Sequence, residues 1–155
     1  VSSVTDMGLA FYCCEVFDQD LSLWDTSNVT TMKAMFLGCK NFNRPVFRNT
    51  SKVTDMHGMF QLCASFNQGV NFDTSSVTTM RSMFHSCVTF NQGLLFDTSN
   101  VCDMSNMFER CYEFNQELRF NTSKVTDMSR MFSCCVSLRR IPVFDTSALT
   151  TADDM

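Results

Sequence analysis

The chain has little of what usually punctuates a fold. It holds five glycines, two prolines and one tryptophan among its 155 residues. That excludes a glycine-rich β-helix and a proline-rich linker. No run of about 18 apolar residues occurs, so no segment reads as a membrane-spanning helix. Lys and Arg are scattered and the net charge is −4, so the basic stripe that a nucleic-acid partner requires is missing. There is no C-x-x-C pair with a matching second pair, which excludes the usual zinc sites. No Gly-rich phosphate loop, Ser-His-Asp arrangement or paired catalytic carboxylate stands out, and the expectation is a protein that is not an enzyme and carries no metal or other cofactor. What the chain does have is 16 Phe, 12 Met and 9 Cys within an apolar fraction of 45%, a globular composition with an unusual choice of apolar residues.

Those residues recur at a fixed period. Anchored on the first residue of V-T-x-M, copies begin at Val4, Val29, Val53, Val77, Val101, Val125 and Leu149, with a first step of 25 residues and every later step of 24. A period in this range is the mark of a solenoid whose units stack on their neighbours. With the anchor as column 0, apolar residues fall at columns 0, 3, 6, 7 and 10, as in Val53, Met56, Met59, Phe60 and Cys63. That spacing predicts one face of a helix. Column 13 is aromatic in Phe17, Phe42, Phe66, Phe90 and Phe114, and columns 17 and 19 are apolar, as in Val70 and Phe72. A spacing of two predicts a short strand. An Asp/Asn-Thr-Ser triplet such as Asp73-Thr74-Ser75 then turns the chain. The fold class expected is an α/β solenoid, leucine-rich-repeat-like, of about six 24-residue helix–strand repeats with a parallel sheet on one face. It forms a single repeat domain over 1–155. Val1–Ala10 and Thr146–Met155 occupy the same columns and neither reads as a polar cap, so the sequence reads as a segment of a longer array or as one whose ends meet other subunits.

The stretch Ser76 to Ser99, SVTTMRSMFHSCVTFNQGLLFDTS, resembles the repeat of the BspA-like leucine-rich-repeat surface proteins, the branch rich in M-F-x-x-C and F-N-Q. The resemblance covers essentially the whole chain. Departures are local: Trp24 takes the Phe column after one extra residue, Val46-Phe47-Arg48 moves the aromatic by one, and Leu138-Arg139-Arg140-Ile141-Pro142 loses the Asn-Gln pair. The resemblance implies a secreted or cell-surface protein, often adhesive, with no catalytic residues to transfer.

Several columns are candidate sites. Cys14, Cys39, Cys63, Cys87, Cys111 and Cys135 share column 10 and form a ladder of either core thiols or disulfides, since rungs about 5 Å apart are within disulfide reach. Cys13 and Cys134 stand outside it, five repeats apart, and could pair only between chains. Asn67-Gln68, Asn91-Gln92 and Asn115-Gln116 would stack as amide ladders. The Asp/Asn column from Asp25 to Asp145 is conceivable as a calcium site, although turn formation explains the same residues. Asn28, Asn49 and Asn121 lie in N-x-S/T sequons and are possible glycosylation sites. Lys33, His57 and Arg81 share the variable column 4 and form a possible surface strip. His57 and His85 fall in different columns and read as surface variation. Taken together, the expected function is non-enzymatic, extracellular or at the cell surface, in adhesion or protein binding to a protein or glycan surface partner. The alternative is a structural subunit of a filament, copies of itself stacked end to end.

Overall fold

The computed structural model describes residues 3–155; Val1 and Ser2 of the first copy lie outside the described residues. The chain winds in successive coils, one per repeat, and each coil lies on the next. Column 2 of each coil pairs in parallel with column 2 of its neighbour, from Asp6 with Thr31 through Asp55 with Thr79 to Asp127 with Thr151. These are isolated bridges of single residues. Among the described residues there is no α-helix and no strand, so the expected α/β architecture, helices on one face and a parallel sheet on the other, is overturned.

The helix fails for a backbone reason. Every described residue at column 5 and column 9 has a positive φ: Leu9, Ala34, Gly58, Ser82, Asn106, Arg130 and Asp154 in the first set, Cys13, Gly38, Leu62, Ser86, Arg110 and Cys134 in the second. A right-handed helix cannot run through a left-handed residue every four positions. The chain makes consecutive β-turns instead, each with the positive φ at its third residue. Met35 N–H donates to Met32 O at 3.1 Å and Cys39 N–H to Phe36 O at 2.9 Å, closing two of them. The alternate N–H groups leave the coil: Ala34 donates to His57 O at 2.7 Å, Phe36 to Met59 O at 2.9 Å and Gly38 to Gln61 O at 2.8 Å on the next coil. Such turns return residues three and four apart to the same side, as a helix does. The apolar spacing is therefore the same for both.

Eleven of the left-handed residues are not glycine, and each costs roughly 1–2 kcal/mol relative to a right-handed conformation. The inter-coil hydrogen bonds, worth about 0.5–1.5 kcal/mol apiece, and the buried side chains offset this cost. Val53, Met56, Met59, Phe60, Cys63 and Phe66 are wholly buried, and the same columns continue through the neighbouring coils as one hydrophobic cluster. Column 7 stacks Phe36, Phe60, Phe84 and Phe108 with ring centroids 5.4–5.7 Å apart. Column 13 packs against it, with Phe60 and Phe66 centroids 4.2 Å apart.

The expected strand at columns 17 to 19 also fails. Phe72, Phe96 and Phe120 do stack, and Phe47 joins them despite its shift in sequence, but their centroids stand 6.0–6.4 Å apart. No strand forms at these columns among the described residues; Leu21 N–H donates to Pro45 O at 3.1 Å, and side chains make most of the other contacts between coils on this side.

Candidate functional site

The cysteine ladder is built into the end of the turn wall. Cys39, Cys63, Cys87, Cys111 and Cys135 are buried free thiols, and Cys14 at the first coil is exposed. Each buried Sγ–H donates backwards to a phenylalanine carbonyl one coil away: Cys63 to Phe36 O at 3.0 Å, Cys87 to Phe60 O at 2.9 Å, Cys111 to Phe84 O at 3.0 Å. Cys39 and Cys135 do the same with Phe11 and Phe108. Burial pushes the Cys39 and Cys135 thiols up to about 11. It holds Cys63, Cys87 and Cys111 well above the ordinary thiol range. A thiol kept protonated and pointed at a carbonyl is a poor nucleophile, so the column serves packing.

On the opposite wall the amides take over the work of the backbone. Asn67 Oδ1 accepts both the backbone N–H of Asn91 and the side-chain amide of Gln92, each at 3.0 Å. Asn91 Oδ1 accepts Asn115 N–H at 3.0 Å and Gln116 Nε2 at 2.9 Å. Asn43 supplies the same pair of contacts to Asn67 and Gln68. Where the last copy replaces Asn-Gln by Arg139-Arg140, Arg139 N–H still reaches Asn115 Oδ1 at 3.0 Å. Next in sequence, buried Thr50, Thr74, Thr98 and Thr122 each donate to the carbonyl of the Asp or Asn column one coil on, at 2.8–2.9 Å. The carboxylates of that Asp column are occupied by their own turns. Asp73 accepts from the Ser75 hydroxyl and backbone N–H, and that hydroxyl bond is the larger cause holding its carboxyl below the usual range. Among the described residues no group of three or more metal-ligating side chains is assembled.

The strip of Lys33, His57 and Arg81 is brought together. The three lie on consecutive coils, with Lys33 and Arg81 exposed and His57 half-buried between them. Burial is the main cause holding the His57 imidazole below its ordinary range. Asp55 and Asp103 favour its proton, while Lys33 and Arg81 oppose it. Neither Lys33 nor Arg81 makes an ion pair with the described residues, whereas Lys40, Arg44, Arg119 and Arg130 do.

One cluster escaped the sequence reading. His85 Nδ1 stands 3.5 Å from Glu109 Oε2, and Asn106 Nδ2 donates to the same oxygen at 2.7 Å. Glu109 is a buried carboxylate on the wall of the stack. His85 and Glu109 differ by one period of 24, which was the available signal. Cys13 and Cys134 are both exposed, as is Cys102. Cys13 edges a shallow groove of about 450 Å³ with Leu37, Leu62 and Val88 on its wall. Of the sequon asparagines, Asn28, Asn49 and Asn121 are all exposed. Asn28 accepts from Lys52 Nζ at 2.7 Å, and Asn49 and Asn121 accept from Ser51 and Ser123 within their turns.

No candidate membrane-spanning helix occurs among the described residues. The family model described as "Mycoplasma protein of unknown function, DUF285" matches the chain twice, over residues 1–71 and 70–155. No curated protein matches the chain, and no solved structure does.

Proposed function

From the premise that this repeat chain belongs to the DUF285 family, we propose that it is a non-enzymatic binding protein, extracellular or at the cell surface, that adheres to a protein or glycan partner. One observation carries the reading. The columns that repeat with little change, 0, 3, 6, 7, 10 and 13, are buried through the inner coils, while columns 4, 8, 11 and 12 change from copy to copy: columns 11 and 12 are mostly exposed, and columns 4 and 8 are mostly half-buried, with Lys33 and Arg81 exposed and Ser105 and Glu109 buried. Column 4 alone carries Gly8, Lys33, His57, Arg81, Ser105 and Ser129. A stack that keeps its interior and varies its surface is suited to recognition, because stability comes from neighbouring repeats whatever the outer side chains are. The M-F-x-x-C and F-N-Q motifs support a place near the BspA-like surface proteins at the level of the repeat.

Adhesion of particles tests the reading. Beads coated with the chain should attach to epithelial cell monolayers in a saturable way, and excess soluble chain should compete. Attachment no greater than that of albumin-coated beads would overturn it.

A further inference from the structure

We propose that Lys33, His57 and Arg81 form a binding strip for an extended anionic glycan, a polysaccharide carrying carboxylate or sulfate groups, laid along the stacking direction. This rests on the reading of the chain as a surface binding protein and names the chemistry of its partner.

The first ground is the unpaired charge. Lys33 and Arg81 share a column, are exposed, and meet no carboxylate at ion-pair distance among the described residues. The residue two positions earlier explains why. On other coils column 2 is an aspartate whose carboxylate accepts the column 4 backbone N–H: Asp6 with Gly8, Asp55 with His57, Asp103 with Ser105, Asp127 with Ser129. Beneath the two cations column 2 is threonine, and Thr31 Oγ1 and Thr79 Oγ1 accept the same N–H at 3.3 Å. An aspartate there would close the turn equally well and neutralise the cation. Threonine leaves the cation open and adds a hydroxyl proton free to donate. The remaining threonine of the column, Thr151, precedes Asp153, where a second carboxylate would meet like charge.

The second ground is spacing. Coils paired in parallel lie about 4.8 Å apart, so Lys33 and Arg81, two coils apart, are separated by roughly 10 Å along the stack. One pyranose ring of an extended glycan advances by close to one coil. An anionic group on every second ring therefore stays in register with the two cations. Same-face side chains of an extended peptide recur at roughly 6.6–6.8 Å and drift out of register.

The third ground is His57, seated between the two cations. It faces Lys33 and Arg81 on either side, Asp55 on its own coil and Asp103 beyond, and Asp127 lies within reach of Arg81. At neutral pH the strip offers two permanent cations against these carboxylates. On acidification an anionic glycan would recruit a third positive charge from the imidazole, so binding tightens as pH falls.

Binding of the full chain to immobilised heparin, hyaluronan, poly-L-glutamate and neutral dextran tests the assignment. Heparin or hyaluronan should bind at physiological salt and dextran should not. The double variant Lys33→Gln/Arg81→Gln should weaken binding by about tenfold. Thr31→Asp/Thr79→Asp, which leaves both cations in place, should weaken it to a similar degree, with thermal midpoints near that of the parent. His57→Gln should abolish the gain expected as pH falls from about 6.5 to about 5. An equal loss from Arg119→Gln, a cation on another face, would reduce the effect to overall charge and overturn the strip. Poly-L-glutamate bound as tightly as the glycans would transfer the site to an acidic peptide. No glycan binding with bead adhesion intact would sink the glycan strip alone, and loss of both would sink the binding reading with it.

Discussion

The two walls of the stack keep the same 24-residue step by different means. Columns 2 to 10 use the backbone: left-handed residues at columns 5 and 9 aim alternate N–H groups at the next coil. Columns 13 to 21 use side chains: stacked rings, asparagine carbonyls that accept the next coil's N–H, and buried threonine hydroxyls. The first wall therefore tolerates almost any outward side chain, because what it needs is a dihedral. The second demands particular residues, because side chains rather than backbone make most of its bonds from coil to coil, Leu21 N–H to Pro45 O being a backbone exception. The repeat is accordingly loose at columns 4 and 8 and strict at Phe-Asn-Gln.

The largest expected effect sits where the walls meet, in the buried thiols. Burial raises their folded values above the ordinary 9.0, to about 11 for Cys39 and Cys135. The unfolded chain ionises first, so stability is complete below about pH 9 and is lost as pH rises through 9 towards 11. Thermal midpoints should fall steeply across that window, and a flat profile would mean that the column is not buried as thiols. The same burial predicts fast labelling of Cys13, Cys14, Cys102 and Cys134 under native conditions, with the other five reacting only on unfolding.

Next in size is the ring column that both walls share. Phe84→Ala removes a wholly buried ring stacked between Phe60 and Phe108 and should cost about 3–5 kcal/mol in denaturant unfolding. A loss below 1 kcal/mol would show that the column is not the core.

The comparison itself is sharpest in a pair of amide changes. Asn91→Ala leaves Asn115 N–H and the Gln116 amide without their acceptor and should cost about 1–3 kcal/mol. Gln61→Ala, an amide on the other wall, should fall within about 0.5 kcal/mol of the parent. Equal effects would erase the distinction between the walls.

A smaller effect tests the dihedral requirement. Gly38 has φ +81°, and a Cβ there would sit 3.2 Å from Cys13 Sγ and 3.4 Å from Cys13 Cα. Gly38→Ala should cost about 1–2 kcal/mol, more than Gly58→Ala, whose Cβ meets the mobile end of Gln61. The reverse order would place the strain elsewhere.

The smallest effect is at the acid end. Burial is the main cause that lowers both His57 and His85 from 6.5. Stability from these groups is complete above about 6.5 and declines as pH falls below it, since the unfolded chain takes up protons first. His57→Gln/His85→Gln should flatten the thermal midpoint between about pH 6.5 and about pH 5. A slope unchanged by the double variant would assign it to the carboxylates.

Much of the site was legible because period alone decides which residues meet. Lys33, His57 and Arg81 share a column, so any stack with this step brings them side by side, and the same holds for the cysteine and asparagine ladders. His85 and Glu109 obey the same arithmetic, but a histidine and a glutamate in one column do not form a ladder of like residues that the period makes visible. The role of Thr31 and Thr79 beneath the two cations needed the turn geometry, since column 2 contacts column 4 only when the chain bends between them.

The step, the inward columns and the residues that stack can be read from the repeat alone, because translation by 24 positions acts on any backbone that repeats. The path of the backbone is settled by the stacking of the coils. Apolar residues at columns 0, 3, 6, 7 and 10 suit a helix and a run of alternating turns alike, and the sign that separates the two, glycine at the left-handed positions, appears at only Gly38 and Gly58. The other positions accept a left-handed φ because hydrogen bonds to the next coil outweigh its local cost, and a bond to the next coil exists only once the coils are stacked.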